Sequence, residues 1–365
     1  MKKLLLLTTV IILAIVILSL FQHPKQNSNN KTSDKPTIKI GAILPLQGAY
    51  SIYGEAGKKS LMMFEEDLKK RNLKNNYDII IEPCDANELK SPVNAARKSV
   101  LTDKVNAIIT VWNNAGVATT DIVKGRDLIH INLGNDSRTT IEKNNFNFGP
   151  STEGQVNLSL QEMTKLGVKK LTVIGINNAW STSMLEEYKK QIPNYNIELT
   201  DVIIINSGEK NFRTTLANIA SKTPDMISIV LENPETDIFR KQMLEKNINI
   251  PITSIESTEY TEQPEIYEGT WYINYPDGTP DFLSRFKTYS SMTTFPTVAY
   301  VYDMASILVD AFEHSNTTDE AIKYLQSQTT FNGATGEIKQ ENNFFKTKDV
   351  IKEVKENKLI FREKL

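Results

Sequence analysis

The chain has 365 residues, of which 40% are hydrophobic and 24% are charged, and its formal net charge is −2. These values are typical of a globular protein with two domains of ordinary size and exclude a disordered chain. The near-neutral charge argues against nucleic acid as the main partner. Cys84 is the only cysteine, which excludes an internal disulfide and disfavours a thiolate metal cluster.

The N-terminal segment predicts a membrane anchor. Two lysines precede an uncharged apolar run from Leu4 to Phe21. This run is longer than the roughly 7–15-residue core of a secretory signal and reaches the lower limit for a spanning helix. Since no small-x-small cleavage site follows, the sequence favours an uncleaved anchor over a cleaved signal peptide, with the remainder outside the cytoplasm. The polar residues 22–37 predict a flexible tether.

The segment from Ile38 to Asp67 predicts a strand, a loop and a helix. Ile38 to Leu44 has the length and β-branched content of a buried strand, and Pro45 ends it. From Glu55 onward, apolar residues recur at helical spacing. A strand that leads into a helix N-terminus presents free backbone N–H groups at the carboxyl end of the strand, where open α/β sheets bind ligands.

Strand and helix patterns alternate along the rest of the chain, which predicts parallel sheets with right-handed crossovers. The pattern restarts after residues 148–150, so we expect a second sheet. Three further helices are expected near residues 281–289, 297–313 and 319–326. Closing strands are expected at residues 331–338 and 350–361. The other predicted strands are residues 77–82, 105–111, 128–133, 169–176, 197–205, 226–231 and 252–255.

Four segments resemble the Leu/Ile/Val-type (branched-chain amino-acid) substrate-binding proteins of ABC transporters. They are Leu44–Gly48 with Tyr53–Gly54, Asp85 with the helix of Pro92, Ala95 and Ala96, Gly208–Phe212, and Phe331–Ile338. The last is the most specific, and the resemblance covers nearly everything after the tether. It implies the type I periplasmic-binding fold, an α/β fold of two Rossmann-like lobes with parallel central sheets and a three-segment hinge.

The resemblance also implies where the chain passes between the lobes. Carried over to this sequence, the crossings fall near Gly149, near Tyr275 and near Thr330. Lobe 1 would then comprise residues 38–149 and 276–330. Lobe 2 would comprise residues 150–275 and 331–365.

In the first lobe, members of this family hold a ligand carboxylate with a hydroxyl group and backbone N–H groups after the third and fourth strands. The corresponding positions are Asn113, Leu133 and Asn135. An asparagine amide can donate to an anion, but asparagine is also a common turn residue, and for Asn113 the two interpretations weigh equally. Tyr53 is the expected aromatic wall of this lobe.

In the second lobe, Glu256 corresponds to the acidic residue that grips the ligand ammonium in amino-acid binders of the family. A solvated loop acid is the alternative, but a carboxylate inside a closing cleft is costly unless a cation pairs with it. Trp180, at the start of a helix, corresponds to an aromatic that covers the ligand, with a core tryptophan as the alternative. Glu232 follows another strand and would add a second acid.

Motifs for catalysis are absent from the sequence. The three histidines have no ligand spacing, and there is no G-x-G-x-x-G, P-loop, G-x-S-x-G or C-x-x-C motif. We therefore expect no enzyme, no cofactor and no metal. The sequence predicts a monomeric extracytoplasmic protein that captures a small polar ligand, an amino acid or a related amine-bearing compound, for an ABC permease. A membrane-anchored sensor of the same fold is the alternative.

Overall fold

The computed structural model describes residues 35–48, 50–86, 88, 90–292 and 296–362. The described residues from Thr37 onward form one compact unit. The predicted anchor and most of the predicted tether lie outside the described residues. Within the described ranges, no helix is both long enough and apolar enough to cross a membrane.

The elements alternate between strands and helices for most of the chain. In chain order, the strands are β1 (Thr37–Gln47), β2 (Asn76–Asp85), β3 (Ala107–Val111), β4 (Ile129–Leu133), β5 (Asn145–Gly149), β6 (Lys170–Ile176), β7 (Glu198–Ile205), β8 (Met226–Val230), β9 (Ile252–Ile255), β10 (Trp271–Asn274), β11 (Thr330–Gly333), β12 (Gly336–Glu341), β13 (Phe344–Lys346), β14 (Val350–Lys355) and β15 (Lys358–Phe361). The α-helices are α1 (Ser51–Leu68), α2 (Lys90–Lys98), α3 (Asn113–Val123), α4 (Thr152–Lys165), α5 (Ala179–Gln191), α6 (Arg213–Ser221), α7 (Glu235–Glu245), α8 (Pro280–Tyr289), α9 (Thr297–Glu313) and α10 (Thr318–Ser327).

The strands form two sheets. The first has the order β11-β12-β13-β5-β4-β3-β1-β2, and the second has the order β15-β14-β10-β9-β8-β6-β7. Strands β1 to β5 pair in parallel, and so do strands β6 to β10. The predicted α/β fold with two mostly parallel central sheets is therefore confirmed.

Each sheet is covered by helices on both faces. Strands β3 and β4 are buried along their whole length, as their continuous apolar sequences require in a parallel sheet. Helix α9 is buried on nearly all sides and contributes Val301, Met304 and Leu308 to the core of the first lobe. The second lobe has two core clusters; Leu160 and Met184 belong to one of them, and the other includes Leu216 and Phe239.

The last crossing between the lobes differs from the prediction. Strands β11 to β13 extend the first sheet, because β13 pairs with β5. Residues 331–346 thus belong to lobe 1, and the predicted boundary near Thr330 is wrong. The physical reason is burial: Phe345 is fully buried in the first core and stacks on Phe146, with ring centroids 5.4 Å apart. In the described chain only β14 and β15 return to the second sheet from this C-terminal part.

The three connecting segments lie close together. The chain leaves the first sheet after Gly149, returns after β10, and crosses again between β13 and β14. The N–H of Thr347 donates to the carbonyl of Gly149 at 3.1 Å. The hydroxyl groups of Thr347 and Tyr300 lie 2.8 Å apart, and the ring of Tyr300 contacts that of Tyr275. Adjacent short connections of this kind are where two lobes can rotate about a hinge.

Candidate functional site

A cavity of about 140 Å³ lies between the two lobes, where the strands of both sheets end. A water molecule needs roughly 10–15 Å³ by the same measure, so the cavity suits a ligand of on the order of ten non-hydrogen atoms. The crevice beyond the carboxyl ends of parallel strands is the usual binding position in α/β proteins. We therefore take this cavity as the candidate site.

Six of the seven predicted site residues line the cavity. They are Asn113, Leu133, Asn135, Trp180, Glu232 and Glu256. Tyr53 is not among the lining residues. Its ring lies beside that of Trp112, with centroids 5.8 Å apart. Because Tyr53 is already in the first turn of α1, the residue before that helix, Tyr50, reaches the cavity in its place.

Four aromatic side chains that were not predicted as site residues form much of the wall. Tyr50 and Trp112 line the cavity from lobe 1 with ring centroids 4.7 Å apart, and Tyr260 and Tyr275 line it from the other side. The rings of Tyr53 and Tyr260 meet at 5.3 Å, which joins the lobes at the rim. Three of the four could have been found from the sequence, because Tyr50, Trp112 and Tyr275 each come shortly after the end of a strand.

Glu256 directly follows β9, and its carboxyl group faces the cavity. Gln155 of α4 donates a hydrogen bond of 2.7 Å from Nε2 to Oε1 of Glu256. Burial raises the pKa of Glu256 to about 7; the hydrogen bond from Gln155 acts in the opposite direction, and the negative charge of Glu259 raises the pKa further. No ion pair to Glu256 occurs within the described ranges.

Glu232 is the second acid of the cavity. Asn178 donates from Nδ2 to Oε1 of Glu232 at 2.8 Å, and the hydroxyl of Tyr50 is close enough to influence this carboxyl group. Burial raises the pKa of Glu232, and the charge of Glu235 adds to that effect, while Asn178 and Tyr50 oppose it. Since Tyr50 belongs to lobe 1 and Glu232 to lobe 2, this contact crosses the cleft.

A third buried acid, Asp349, lies in the last connection between the lobes. Burial raises its pKa to about 8, and the charge of Glu256 contributes. Its Oδ1 atom is buried without a hydrogen-bond partner among the residues that the structure describes. Nothing in the sequence distinguishes Asp349 from other loop acids, because its position depends on where the third crossing falls.

Lys352, the one buried lysine or arginine among the residues that the structure describes, is already paired. Lys352 lies 2.9 Å from Oε1 of Glu259 and 2.8 Å from Oδ1 of Asp277, and its side chain is only 2% exposed. It therefore compensates those two acids and is not available to Glu256. The described cavity wall contains two glutamates and no lysine, arginine or histidine, so no basic side chain of the wall compensates either glutamate when it is ionised.

The side chain of Asn113 accepts hydrogen bonds from backbone N–H groups that were expected to bind a ligand. Its Oδ1 atom accepts from the backbone N–H groups of Asn135, at 2.9 Å, and Asp136, at 3.1 Å. Its Nδ2 group donates to Oδ1 of Asn135 at 3.0 Å. The side chain thus binds the loop after β4, and the backbone N–H group of Asn135 is not free for an anion.

Two residues of the wall have strained backbone conformations. Trp112, immediately before α3, has φ of 73°, and Glu256, immediately after β9, has φ of 60°. Positive φ is uncommon for residues with a side chain, and such residues concentrate at ligand sites. The strain marks both strand ends as positions where the direction of the side chain matters.

Comparison with known proteins agrees with this architecture. The model of the family described as periplasmic binding protein matches residues 37–350, which confirms the predicted resemblance. A search of curated protein sequences gave no match.

Solved structures of solute-binding proteins share the fold. A leucine-binding protein from Thermotoga maritima has 20% identity and a TM-score of 0.78, covering 89% of this chain and 98% of its own. A branched-chain amino-acid binding protein from Streptococcus pneumoniae, solved with isoleucine, has 16% identity and a TM-score of 0.78, with coverage of 88% and 97%. An ABC-transporter solute-binding protein from R. palustris, solved with 4-hydroxybenzoate, has 16% identity and a TM-score of 0.80, with coverage of 90% and 96%. At these identities the likeness establishes the fold alone.

Proposed function

The chain belongs to the periplasmic binding protein family, and from this premise we propose that it is an extracytoplasmic solute-binding protein of an ABC importer. It captures a small amine-bearing ligand in the cavity between its lobes. The observation that carries this proposal is that Glu256 and Glu232 line the cavity, while no cation in the described structure pairs with either of them. Buried carboxylates are costly unless paired, and a ligand ammonium would supply the missing charge.

Hinge closure is the mechanism that the arrangement supports. The ligand first contacts one lobe and then both, and its additional contacts favour the closed form. Tyr50 and Glu232 meet across the cleft, as do Tyr53 and Tyr260, so closing the lobes brings aromatic and acidic groups together around the ligand. The permease then recognises the closed form and releases the ligand into its channel.

A thermal-shift screen of the purified protein tests the proposal. A ligand that binds only the native state raises the melting temperature, so we expect stabilisation by one or more amines and no stabilisation by sugars or simple carboxylic acids. Glu256→Gln should lose the shift, whereas Glu186→Gln, an exposed acid on α5, should keep it. Stabilisation only by compounds without an amine or ammonium group would contradict the proposed ligand class.

Uptake of the ligand from the screen tests the transport role. Cells that express the protein should import it faster than cells that lack the gene, and Glu256→Gln should not restore uptake. Equal uptake with and without the gene would contradict an importer role even if the ligand binds.

A further inference from the structure

We propose that the ligand is an organic cation without a carboxylate group, such as an alkyl amine or a quaternary ammonium compound. This inference rests on the proposed function and narrows its ligand class. A free amino acid carries a positive ammonium group and a negative carboxylate. Whether the site prefers an amine or an amino acid therefore depends on whether lobe 1 can bind a carboxylate.

In lobe 1, the backbone N–H groups of the loop after β4 already donate to acceptors of the protein, so they are not free to bind an anion. The Oδ1 atom of Asn113 accepts from two successive backbone N–H groups, those of Asn135 and Asp136. The N–H group of Gly134 donates to the carbonyl of Phe148 at 3.1 Å. An amide oxygen of the protein therefore stands where a carboxylate oxygen of a ligand would be bound.

The charge of the cavity also opposes an anion. Glu232 and Glu256 are the two acidic side chains of the described wall, and no basic side chain is present there. A ligand carboxylate would leave water for a site that holds two acids and whose N–H groups after β4 are already bonded, which is unfavourable. A cation, in contrast, would be attracted by the ionised glutamates.

The aromatic walls suit a cation as well. Tyr50 and Trp112 line the cavity from lobe 1, and Trp180 and Tyr260 line it from lobe 2. The faces of such rings attract ammonium groups, and aromatic cages are a common means of binding quaternary ammonium ligands. The acids supply the charge and the rings replace the water around the alkyl groups.

Matched pairs of compounds test the inference. Calorimetric titrations at about pH 8 compare isoamylamine with leucine, phenethylamine with phenylalanine, and choline with glycine betaine. The first compound of each pair lacks the carboxylate, which in choline is replaced by a neutral hydroxymethyl group. In the pair that fits the cavity, we expect the compound without the carboxylate to bind at least tenfold more tightly. Equal or tighter binding of the carboxylate-bearing partner would overturn the inference and leave the proposed function intact, whereas a ligand without any amine or ammonium group would overturn both.

Substitution of Asn113 supplies a second, independent readout. Asn113→Ser removes the acceptor that occupies the N–H groups of Asn135 and Asp136, so these donors become free. Helix α3 begins at the same residue and adds its first-turn N–H groups. We expect the preference for the amine over the amino acid to fall at least tenfold, while Asn218→Ser on the exposed side of α6 leaves it unchanged. An unchanged preference in Asn113→Ser would contradict the role assigned to its amide oxygen. If that variant does not fold, the wild-type ratios still decide the question.

Discussion

Gln155 donates a hydrogen bond of 2.7 Å to the carboxyl group of Glu256. The bond joins the first turns of α4 to the end of β9 and directs the carboxyl group into the cavity. It favours the ionised form, whereas burial disfavours it more strongly, and the balance raises the pKa of Glu256 to about 7. Glu256 is therefore poised to gain or lose a proton near neutral pH, and a bound cation would favour the ionised form.

The affinity for a cationic ligand should depend on pH through Glu256. A proton and an ammonium group compete for the same carboxylate, so affinity should be constant above about pH 8. Below the pKa of about 7 it should fall by up to about tenfold per pH unit, because a proton must then leave on binding. Calorimetric titration over this range measures the slope. A quaternary ammonium probe is suitable, since its own charge does not change with pH.

The stability of the ligand-free protein should change in the opposite direction. An ordinary glutamate has a pKa of 4.5, and the folded value for Glu256 is about 7. Between these values the folded protein binds a proton that the unfolded chain does not, so stability is lost as pH rises through this window. The pKa of Asp349 is raised to about 8, so this group continues the loss of stability to higher pH.

The melting temperature should accordingly be higher near pH 5.5 than near pH 8, and the difference should shrink in Glu256→Gln. Other groups also titrate, so the comparison between wild type and variant isolates the contribution of Glu256. The same pH dependence in both proteins would show that Glu256 is not buried as an acid.

The assignment of β13 to lobe 1 predicts a large effect of Phe345. This side chain is fully buried against Phe146 and Phe331, so Phe345→Ala should destabilise the protein by about 3–5 kcal/mol. Phe361, in β15, is 43% exposed, and Phe361→Ala should cost about 1 kcal/mol or less. Denaturant unfolding measures both changes. A loss of less than about 1 kcal/mol for Phe345→Ala would contradict the burial of this strand in the first core.

Much of the fold follows from local patterns, but sheet membership does not. The apolar segments and their spacing predict eight of the strands β1 to β10, because each of these is recognisable from its own residues, whereas β5 and β10 were not predicted. The segment from Phe331 to Ile338 was expected as a strand, yet its sheet depends on the pairing of β13 with β5. That pairing joins residues almost two hundred positions apart, and no local signal specifies it.

The site shows the same division between position and role. The resemblance to the substrate-binding family placed Asn113 and Glu256 in the cleft, each just after the end of a strand, and both line the cavity. The sequence does not reveal that the amide of Asn113 would bind the adjacent loop. Tyr53 and Tyr50 differ by less than one helical turn, and the exact start of α1 decides which of them reaches the cavity.

The hinge predicts a change in size on binding. Tyr53 and Tyr260 touch across the cleft in this structure, and a ligand between the lobes should favour that arrangement over an open one. Small-angle scattering should give a smaller radius of gyration at saturating ligand than without it. Tyr53→Ala should weaken this compaction, because it removes a contact formed on closure. Superimposable curves in the two states would contradict closure.

Titration of the best amine into wild-type protein and Glu256→Gln tests the central claim most directly. Loss of the carboxylate leaves a buried cation unpaired, which costs about 2–5 kcal/mol. At about 1.4 kcal/mol per tenfold change, binding should weaken by a factor on the order of 30 to several thousand. The melting temperature of the ligand-free variant should not fall, because burial of the ionised carboxylate of Glu256 destabilises the folded wild-type protein. Equal affinities for the two proteins would contradict the recognition of an ammonium group by Glu256.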